Sequence, residues 1–261
     1  MQERNVVTVT NGAWSLDIRQ IDFSSMFNGA YYQYSSTRLR VHLYADYIDD
    51  FEGTGFKFDF KHLDPHHPFF HAPIAGTLTS YSQPDFEFRM AGMHLEMTDV
   101  VAVAKTISTT DDALLIQHAM DGQDTFQGRV GDSYMATYGG HDVLIGGGGS
   151  DVLYGGTGAG MFIYKLTNNS TTDRYDTLMD FSLRDHDKID LSAIDANGKG
   201  RGDAAFDFIG AHQLGHHAGE LHVFYDKYYT YLGGDVNGDG KDDLLIALHG
   251  TVHLTRQAFE L

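Results

Sequence analysis

Residues 146–154 read Gly-Gly-Gly-Gly-Ser-Asp-Val-Leu-Tyr, so that four glycines precede an Asp at the sixth position and a Leu at the eighth. The same spacing divides residues 119–163 into five nonads. Glycine fills the fourth position each time, at Gly122, Gly131, Gly140, Gly149 and Gly158. In a chain with 30 glycines among 261 residues, this coincidence has a chance of about 1 in 10⁵ per register. The repeat is therefore a structural unit.

The eighth position of every nonad is apolar, and its occupants are Phe126, Met135, Leu144, Leu153 and Phe162. Glycines permit the positive φ of a tight turn, and the three residues after the Asp predict a short strand whose middle side chain faces inward. Two nonads then complete one coil, and the coils stack as a parallel β-helix. Each coil depends on its neighbours because it cannot bury its apolar face alone.

The sixth position carries an acid at Asp124, Asp142 and Asp151, whereas Ser133 and Gly160 replace it elsewhere. Carboxylates beside Gly-rich turns suit Ca²⁺, which takes 6–8 oxygen ligands in flexible geometry. Loops alternate between the two sides of a coil, so we expect Asp124 beside Asp142 and Asp151 on the other side. We predict about one to three ions. The predicted ligands are Gly122, Asp124, Gly140, Asp142, Gly149, Asp151 and Gly158, with Asp132, one place early, as a weaker candidate.

The pattern resembles the RTX calcium-binding β-roll, whose repeat reads Gly-Gly-x-Gly-x-Asp-x-apolar-x. Residues 146–154 fit at every constrained position, and residues 137–145 depart only at the opening glycines. The motifs that follow, Asp-Thr-Leu-Met-Asp-Phe at 176–181 and Asp-Lys-Ile-Asp-Leu-Ser at 187–192, are similar to the C-terminal region of serralysin-type secreted proteases. The resemblance covers residues 119–261. It implies export by type I secretion machinery, an extracellular or cell-surface location, and a secretion signal within residues 164–261.

Composition limits the function classes. The chain has no cysteine, which excludes disulfides, thiolate nucleophiles and Cys-ligated metals. Its net charge of −18 argues against nucleic-acid binding. No apolar run is long enough for a transmembrane helix, and residues 1–5 do not begin a cleavable signal peptide. Type I secretion needs no such peptide, and a chain that folds only with Ca²⁺ stays loose until it is exported.

Two further groups of carboxylates are weaker calcium candidates. Residues 235–243 match positions 1, 3, 5, 6 and 9 of an EF-hand loop through Asp235, Asn237, Asp239, Gly240 and Asp243. Position 12 is Ile246 instead of Glu, so a Gly/Asp turn between two strands is an equal alternative. The second group, near the end of the roll, comprises Asp173, Asp176 and Asp180.

The first 118 residues belong to no family that we recognise. Apolar and polar residues alternate at 6–10, 37–44, 55–60 and 86–90, which predicts antiparallel strands in a β-rich, sandwich-like domain. Residues 98–120 predict one or two short helices. The fold class is therefore mainly β, with a domain at 1–118, a β-roll at 119–163 and a β-rich secretion region at 164–261.

Catalytic motifs are absent from the sequence. The nearest string to the zinc motif His-Glu-x-x-His is His-Gln-Leu-Gly-His at 212–216, where Gln replaces the catalytic acid. Histidine clusters at 62–71 and 212–222 are either solvated loops or sites for metal or haem. The tyrosine runs at 31–34 and 225–231 either alternate on strands or stack on sugars.

The sequence therefore predicts a secreted, calcium-binding, non-enzymatic protein for surface or matrix adhesion, self-assembly or polysaccharide binding. Its expected partners are the secretion machinery and either copies of itself or extracellular polysaccharide. The alternative is an exported polysaccharide-acting enzyme with a pair of catalytic carboxylates in residues 1–118.

Overall fold

The computed structural model describes residues 8–10, 31–36, 38–42, 48–58, 73–83, 88–104, 109–198 and 204–261. These residues form two compact units, of which the first ends at Gln123 and the second comprises Asp124–Leu261. Strands dominate both units, so the prediction of a mainly β fold is confirmed. In the ranges given above, no helix combines the length and the apolarity needed to cross a membrane.

The first unit contains one antiparallel sheet, in the strand order β2-β3-β4-β5-β6-β1. The elements of this unit are β1 (Thr8–Thr10), β2 (Tyr31–Tyr34), β3 (Arg38–His42), β4 (Ile48–Phe58), β5 (Pro73–Gln83), β6 (Phe88–Glu96), α1 (Met97–Ala104), α2 (Thr109–Ala119) and β7 (Asp121–Gly122).

The core of the first unit lies between this sheet and helix α1, which packs against β5 and β6. Leu39 is fully buried and Arg38 beside it is exposed, as the alternating pattern predicts. Helix α1 follows β6 without a loop and buries Met97 and Val100. Among the described residues of this unit, helix α1 therefore packs against two strands of the sheet.

The strands of the five nonads follow in the second unit. They are β8 (Thr125–Gln127), β9 (Tyr134–Ala136), β11 (Val143–Ile145), β12 (Val152–Tyr154) and β13 (Met161–Ile163), with the short strand β10 (Gly139–Gly140) before β11. Val143 pairs in parallel with Thr125 and with Met161, and Val152 pairs with Tyr134. These partners lie two nonads apart, as expected if two nonads make one coil.

The eighth-position residues are the middle residues of these strands, and each is at most 1% exposed. The flanking residues of the same strands are partly buried, except Gln127, which is exposed. The apolar side chains of the two strand rows thus fill the interior of the roll. Burial of each such side chain stabilises the fold by about 1.5–3 kcal/mol.

The remaining strands extend both sheets of the roll. They are β14 (Asp176–Leu178), β15 (Lys188–Asp190), β16 (Asp207–Gly210), β17 (Glu220–Tyr225), β18 (Tyr229–Asp235), β19 (Leu244–His249) and β20 (Phe259–Glu260). In this unit the first sheet has the order β8-β11-β13-β15-β20, and the second has the order β9-β12-β14-β19-β18-β17-β16. Residues 164–261 therefore contribute strands to both sheets that contain the nonads. The division into segments at 1–118, 119–163 and 164–261 stays a prediction.

Glycine is required at the fourth position because successive coils approach closely there. Gly158 has a φ of +112°, and a Cβ on it would lie 2.0 Å from the carbonyl oxygen of Gly140. Gly149 has a φ of +138°, and its Cβ would lie 2.8 Å from the backbone of Gly131. L residues rarely adopt this conformation, and no side chain fits the contact.

Candidate calcium sites in the roll

Carboxylates follow one edge of the roll, in the loops that lead into the first sheet. Asp142 Oδ1 accepts a hydrogen bond from the backbone N–H of Asp124 at 2.9 Å. One coil further, Gly160 offers no side chain, and Asp187 Oδ1 accepts from the N–H of Gly160 at 2.8 Å. Each carboxylate thus binds the backbone of the preceding coil.

The loops that lead into the second sheet place carboxylates along the opposite edge. Asp151 Oδ1 accepts from the N–H of Ser133 at 2.7 Å, and Asp176 Oδ1 accepts from the N–H of Asp151 at 2.9 Å. Asp176 occupies the next sixth-position place on this edge, although a longer loop separates it from β13. Asp124 and Asp142 therefore lie on one edge and Asp151 on the other.

Three of these carboxylates keep one oxygen without a hydrogen-bond donor. Oδ2 of Asp142, Asp151 and Asp176 is buried and makes no hydrogen bond of standard geometry, and these residues are at most 1% exposed. The hydroxyls of Thr137, Ser133 and Tyr164, respectively, lie near these carboxylates and affect their pKa values. Oδ2 of Asp151 faces the Cα of Gly146, where a Cβ would lie only 2.3 Å away. A buried carboxylate oxygen without a partner is costly, and a hard cation would satisfy it. The donor set therefore fits Ca²⁺.

Burial also makes these groups resist ionisation when no cation is bound. Desolvation raises the pKa of Asp151 to about 6 and that of Asp187 to about 6. It likewise raises the pKa of Asp142. The pKa of Asp176 is well above its usual range, because of burial and then because of the neighbouring Asp151 carboxylate. A divalent cation would reverse this effect by favouring the charged forms.

Three weaker candidates near the roll have different surroundings. Asp132 is exposed and accepts from the N–H of Ser150 and from the Arg174 guanidinium, each at 2.8 Å, and these bonds lower its pKa. Both carboxylate oxygens of Asp180 accept hydrogen bonds, from the N–H groups of Gly155 at 2.8 Å and Gly156 at 2.9 Å. Asp173 is exposed. Asp132 is close enough to raise the pKa of Asp151, and Asp180 is close enough to raise the pKa of Asp187, but both already accept hydrogen bonds from donors of the protein.

The loop at 235–243 connects β18 to β19 and is held by its own hydrogen bonds. Asp235 is buried, and its oxygens accept from the N–H groups of Gly238 at 2.6 Å and Gly240 at 2.7 Å. Asp243 Oδ2 accepts from the N–H of Val236 at 2.9 Å, and the Asn237 amide donates to Asp243 Oδ1 at 2.9 Å. These bonds suit both a Gly/Asp turn and a calcium loop, so a cation here stays a prediction.

The second histidine cluster is dispersed. His222 Nε2 lies 3.0 Å from Asp242 Oδ1, and His216 Nδ1 lies 2.9 Å from the Asp239 carbonyl oxygen. Within the described part of the chain, no three His, Asp or Glu side chains converge as a metal site. Any ion in the roll must therefore take most of its ligands from backbone carbonyls. The first cluster, at 62–71, lies outside the described residues.

Asp187 is the carboxylate that the repeat analysis missed. Asp176 and Asp187 each stand two residues before a buried apolar residue, Leu178 and Ile189 respectively. This is the Asp-x-apolar offset of the nonads, without the preceding glycines. The offset was a usable signal, but the longer loops before β14 and β15 removed the nine-residue spacing that made the repeat visible.

Two solved structures and one family model are similar to part of this chain. The R3 and R2 subunits of the Azotobacter vinelandii mannuronan C5-epimerase AlgE6 are similar solved structures, at 25% and 26% identity and TM-scores of 0.35 and 0.36. The matches cover 54% and 53% of this chain and 79% and 86% of the subunits. A search of curated proteins found no match. Residues 98–259 match the family model described as peptidase M10 serralysin C terminal. This match spans more than half of the sequence, and the chain belongs to the peptidase M10 serralysin C-terminal family.

Proposed function

We propose that this protein acts outside the cell as a non-enzymatic adhesion, assembly or polysaccharide-binding protein whose roll folds around Ca²⁺ after export. Membership of the serralysin C-terminal family supports a secreted protein with a calcium-binding RTX-type roll. The observation that carries the calcium step is the set of buried, unpartnered Oδ2 atoms of Asp142, Asp151 and Asp176.

The two edges of the roll suggest where the ions bind. Asp142 and Asp124 would supply carboxylates to an ion on one edge, and Asp151 and Asp176 to an ion on the other. Fourth-position glycines keep the coils close enough for their carbonyls to complete each site. We propose one ion on each edge, within the range of about one to three that the repeat predicts.

Calcium-coupled folding suits type I export. Three desolvated carboxylates oppose the folded state when no cation is bound, so the free energy of the roll depends on the Ca²⁺ concentration. Low cytosolic Ca²⁺ would leave the chain unfolded for passage through the channel. Higher Ca²⁺ outside would then fold it and make return unfavourable.

One described carboxylate of the first unit is poorly suited to the acid role in the alternative enzyme. Asp50 is buried, and its oxygens lie 3.2 Å from Arg38 Nε and 2.5 Å from Arg40 Nη2. Arg38 also pairs with Glu52 on the same strand as Asp50. Carboxylates held by guanidinium groups are poorly placed to protonate a glycosidic oxygen. The alternative enzyme would need acids from outside this cluster.

Sedimentation velocity across a Ca²⁺ titration, starting in EGTA at pH 7.5, tests the proposal. We expect an expanded monomer that compacts toward millimolar Ca²⁺. If the compact protein forms larger species, the result would support the assembly role. If it stays a compact monomer, the result would favour the adhesion or polysaccharide-binding role. An unchanged sedimentation coefficient would show that the roll does not depend on calcium.

A further inference from the structure

The outer face of the second sheet carries rings that do not contribute to the core of the roll. Along β17, Leu221 and Val223 point inward and are buried, whereas Phe224 points outward and is 38% exposed. Along β18, Thr230 and Leu232 are buried, and Tyr229 and Tyr231 lie on the outer side. The outward rings, which we call the aromatic face, are Tyr175, His222, Phe224, Tyr229, Tyr231 and His249.

These rings form one continuous surface. Phe224 and Tyr231 stack with their centroids 5.0 Å apart and an interplanar angle of 15°. Tyr175 meets Tyr231 edge-on at 6.2 Å, and Tyr229 lies 6.0 Å from Tyr231. His222 extends the row at 5.3 Å from Phe224, and His249 extends it at 5.7 Å from Tyr229. Cross-strand ring pairs stabilise a sheet, but they do not require Phe224 and Tyr175 to be more than a third exposed.

Tyr231, which contacts three other rings of the aromatic face, is held in place by a hydrogen bond. The Tyr231 hydroxyl donates a hydrogen bond to Asp226 Oδ2 at 3.0 Å. Asp226 is fixed in turn by the N–H groups of Tyr228 and Tyr229, both at 2.7 Å. Because the Tyr231 ring is already anchored, a ligand that stacks on it would cost little side-chain entropy there.

Hydrogen-bonding groups lie at the border of the aromatic face. Asp242 lies over Gly233, where a Cβ would come within 2.3 Å of Asp242 Oδ1, and the same oxygen is 3.0 Å from His222 Nε2. Rigid rings bordered by a few polar groups suit a ligand with both apolar and hydroxyl surfaces. A sugar ring has this character, since its C–H face stacks on aromatic rings and its hydroxyls form hydrogen bonds.

Charge narrows the class of ligand. Residues 111–261 contain 23 acidic residues against 10 Lys or Arg, and the whole chain has a net charge of −18. At the aromatic face, this negative charge disfavours a second copy of the chain or an anionic polysaccharide as the ligand. We propose that the aromatic face binds an uncharged polysaccharide. This inference deepens the proposed function by naming a ligand and a site, and it rests on that function because the sheet must first fold with Ca²⁺.

Affinity gel electrophoresis of the full chain in about 5 mM Ca²⁺ tests the inference. This concentration is well above the dissociation constants of sensor-type calcium sites. One gel contains mixed-linkage β-glucan, a second contains galactomannan and a third contains the anionic polymer hyaluronan. The test variant is the double substitution Phe224→Ala with Tyr175→Ala. The matched control is Tyr225→Ala, since Tyr225 is 42% exposed but contacts His253 away from the aromatic face. Circular dichroism with and without Ca²⁺ checks that each variant folds.

We expect retardation by at least one uncharged polymer, weakened roughly tenfold in the double variant and unchanged in Tyr225→Ala. A folded protein that is retarded by neither uncharged polymer, or only by hyaluronan, would overturn the inference. Equal retardation of the folded double variant and the wild type would overturn it as well. A chain that fails to fold with Ca²⁺ would instead contradict the proposed function, so the two failures are distinguishable.

Discussion

At the scale of single residues, the roll depends on carboxylates that are only half satisfied by protein. Oδ1 of Asp151 and of Asp176 binds a backbone N–H of the preceding coil, and Oδ2 of each is buried without a donor. The hydrogen bond to Oδ1 fixes the side chain. Burial of Oδ2 makes the ionised carboxylate unfavourable unless a cation compensates its charge. A solvated acid such as Asp173 has neither property. Calcium dependence should therefore follow burial, not the number of acids.

Asp176→Asn should weaken the response to calcium. The amide keeps an oxygen for the N–H of Asp151 but removes one charge from the edge shared with Asp151. Calcium affinity follows the number of charged ligands, so we expect the Ca²⁺ midpoint of folding to rise by about tenfold or more. The midpoint is measured by far-UV circular dichroism during a Ca²⁺ titration.

Asp173→Asn is the matched control for this experiment, because Asp173 lies in the same loop and is exposed. The same titration should give a midpoint within about twofold of the wild type, as expected for a surface substitution. Equal shifts in the two variants would mean that the general acidity of the loop sets the calcium response.

Gly158→Ala should destabilise the calcium-loaded roll. A Cβ at this position would lie 2.0 Å from the carbonyl oxygen of Gly140, and the φ of +112° is strained for any L side chain. We expect a loss of about 2–4 kcal/mol in the free energy of unfolding, measured by urea denaturation in Ca²⁺. Gly148→Ala is the control, since its Cβ would meet only atoms at 3.8 Å or beyond. Comparable losses in both variants would contradict the close-approach explanation.

At the scale of strands, the regular part of the roll was readable because its period is strict. The five strands of the nonads fall where the eighth-position residues predict them. The repeat predicts strands only as far as Ile163, because the next coils contain longer loops. Leu178 and Ile189 occupy the equivalent buried positions, but they do not follow the nine-residue spacing. The alternating pattern of the first unit predicted strands, but it does not encode what packs against them; among the described residues, helix α1 packs against β5 and β6.

The carboxylate edges also predict a pH dependence for the metal-free roll. The pKa values of Asp151 and Asp187 are about 6 in the folded state, above the usual value of 3.8. The folded state therefore holds more protons than the unfolded state between these pH values. Each protonated carboxyl therefore contributes to the free energy of unfolding of the metal-free roll. The contribution is fully present below about pH 4. It falls by about 2–3 kcal/mol for each group as the pH rises through about 6.

Urea denaturation in calcium-depleted buffer from pH 4 to pH 7.5 measures this dependence. Asp151→Asn removes one contributing group and should make the profile less steep, while Asp142, Asp176 and Asp187 still contribute. In saturating Ca²⁺ the slope should reverse at low pH, because protons then compete with the cation. A metal-free roll that becomes more stable as the pH rises from 4 to 7 would contradict the role assigned to these buried carboxylates.

At the scale of the whole molecule, the two units differ in how their buried charges are compensated. In the described second unit, no Lys or Arg ion pair holds Asp151 or Asp176, whereas in the described part of the first unit Asp50 is paired with Arg38 and Arg40. An ion pair is built from the chain itself and is present in any buffer. The sequence showed the calcium repeat but not this contrast, because the Arg38–Asp50 contact depends on the register of β3 against β4.

Hydrogen exchange measured by mass spectrometry should separate the two units. Transfer from Ca²⁺ to EGTA at pH 7.5 should remove protection from the amides of β9, β12 and β14, since the carboxylates that precede β12 and β14 lose their counter-ion. Protection in β3, β4 and β5 should change little, because the Asp50 pairs do not involve calcium. The folding energy of a metal-coupled unit is lost with its ion, so exchange in the roll should approach that of an unfolded chain. Loss of amide protection in both sets of strands at once would show that the first unit depends on the folded roll. Retention of protection in both sets would show that the buried carboxylates do not make the roll calcium-dependent.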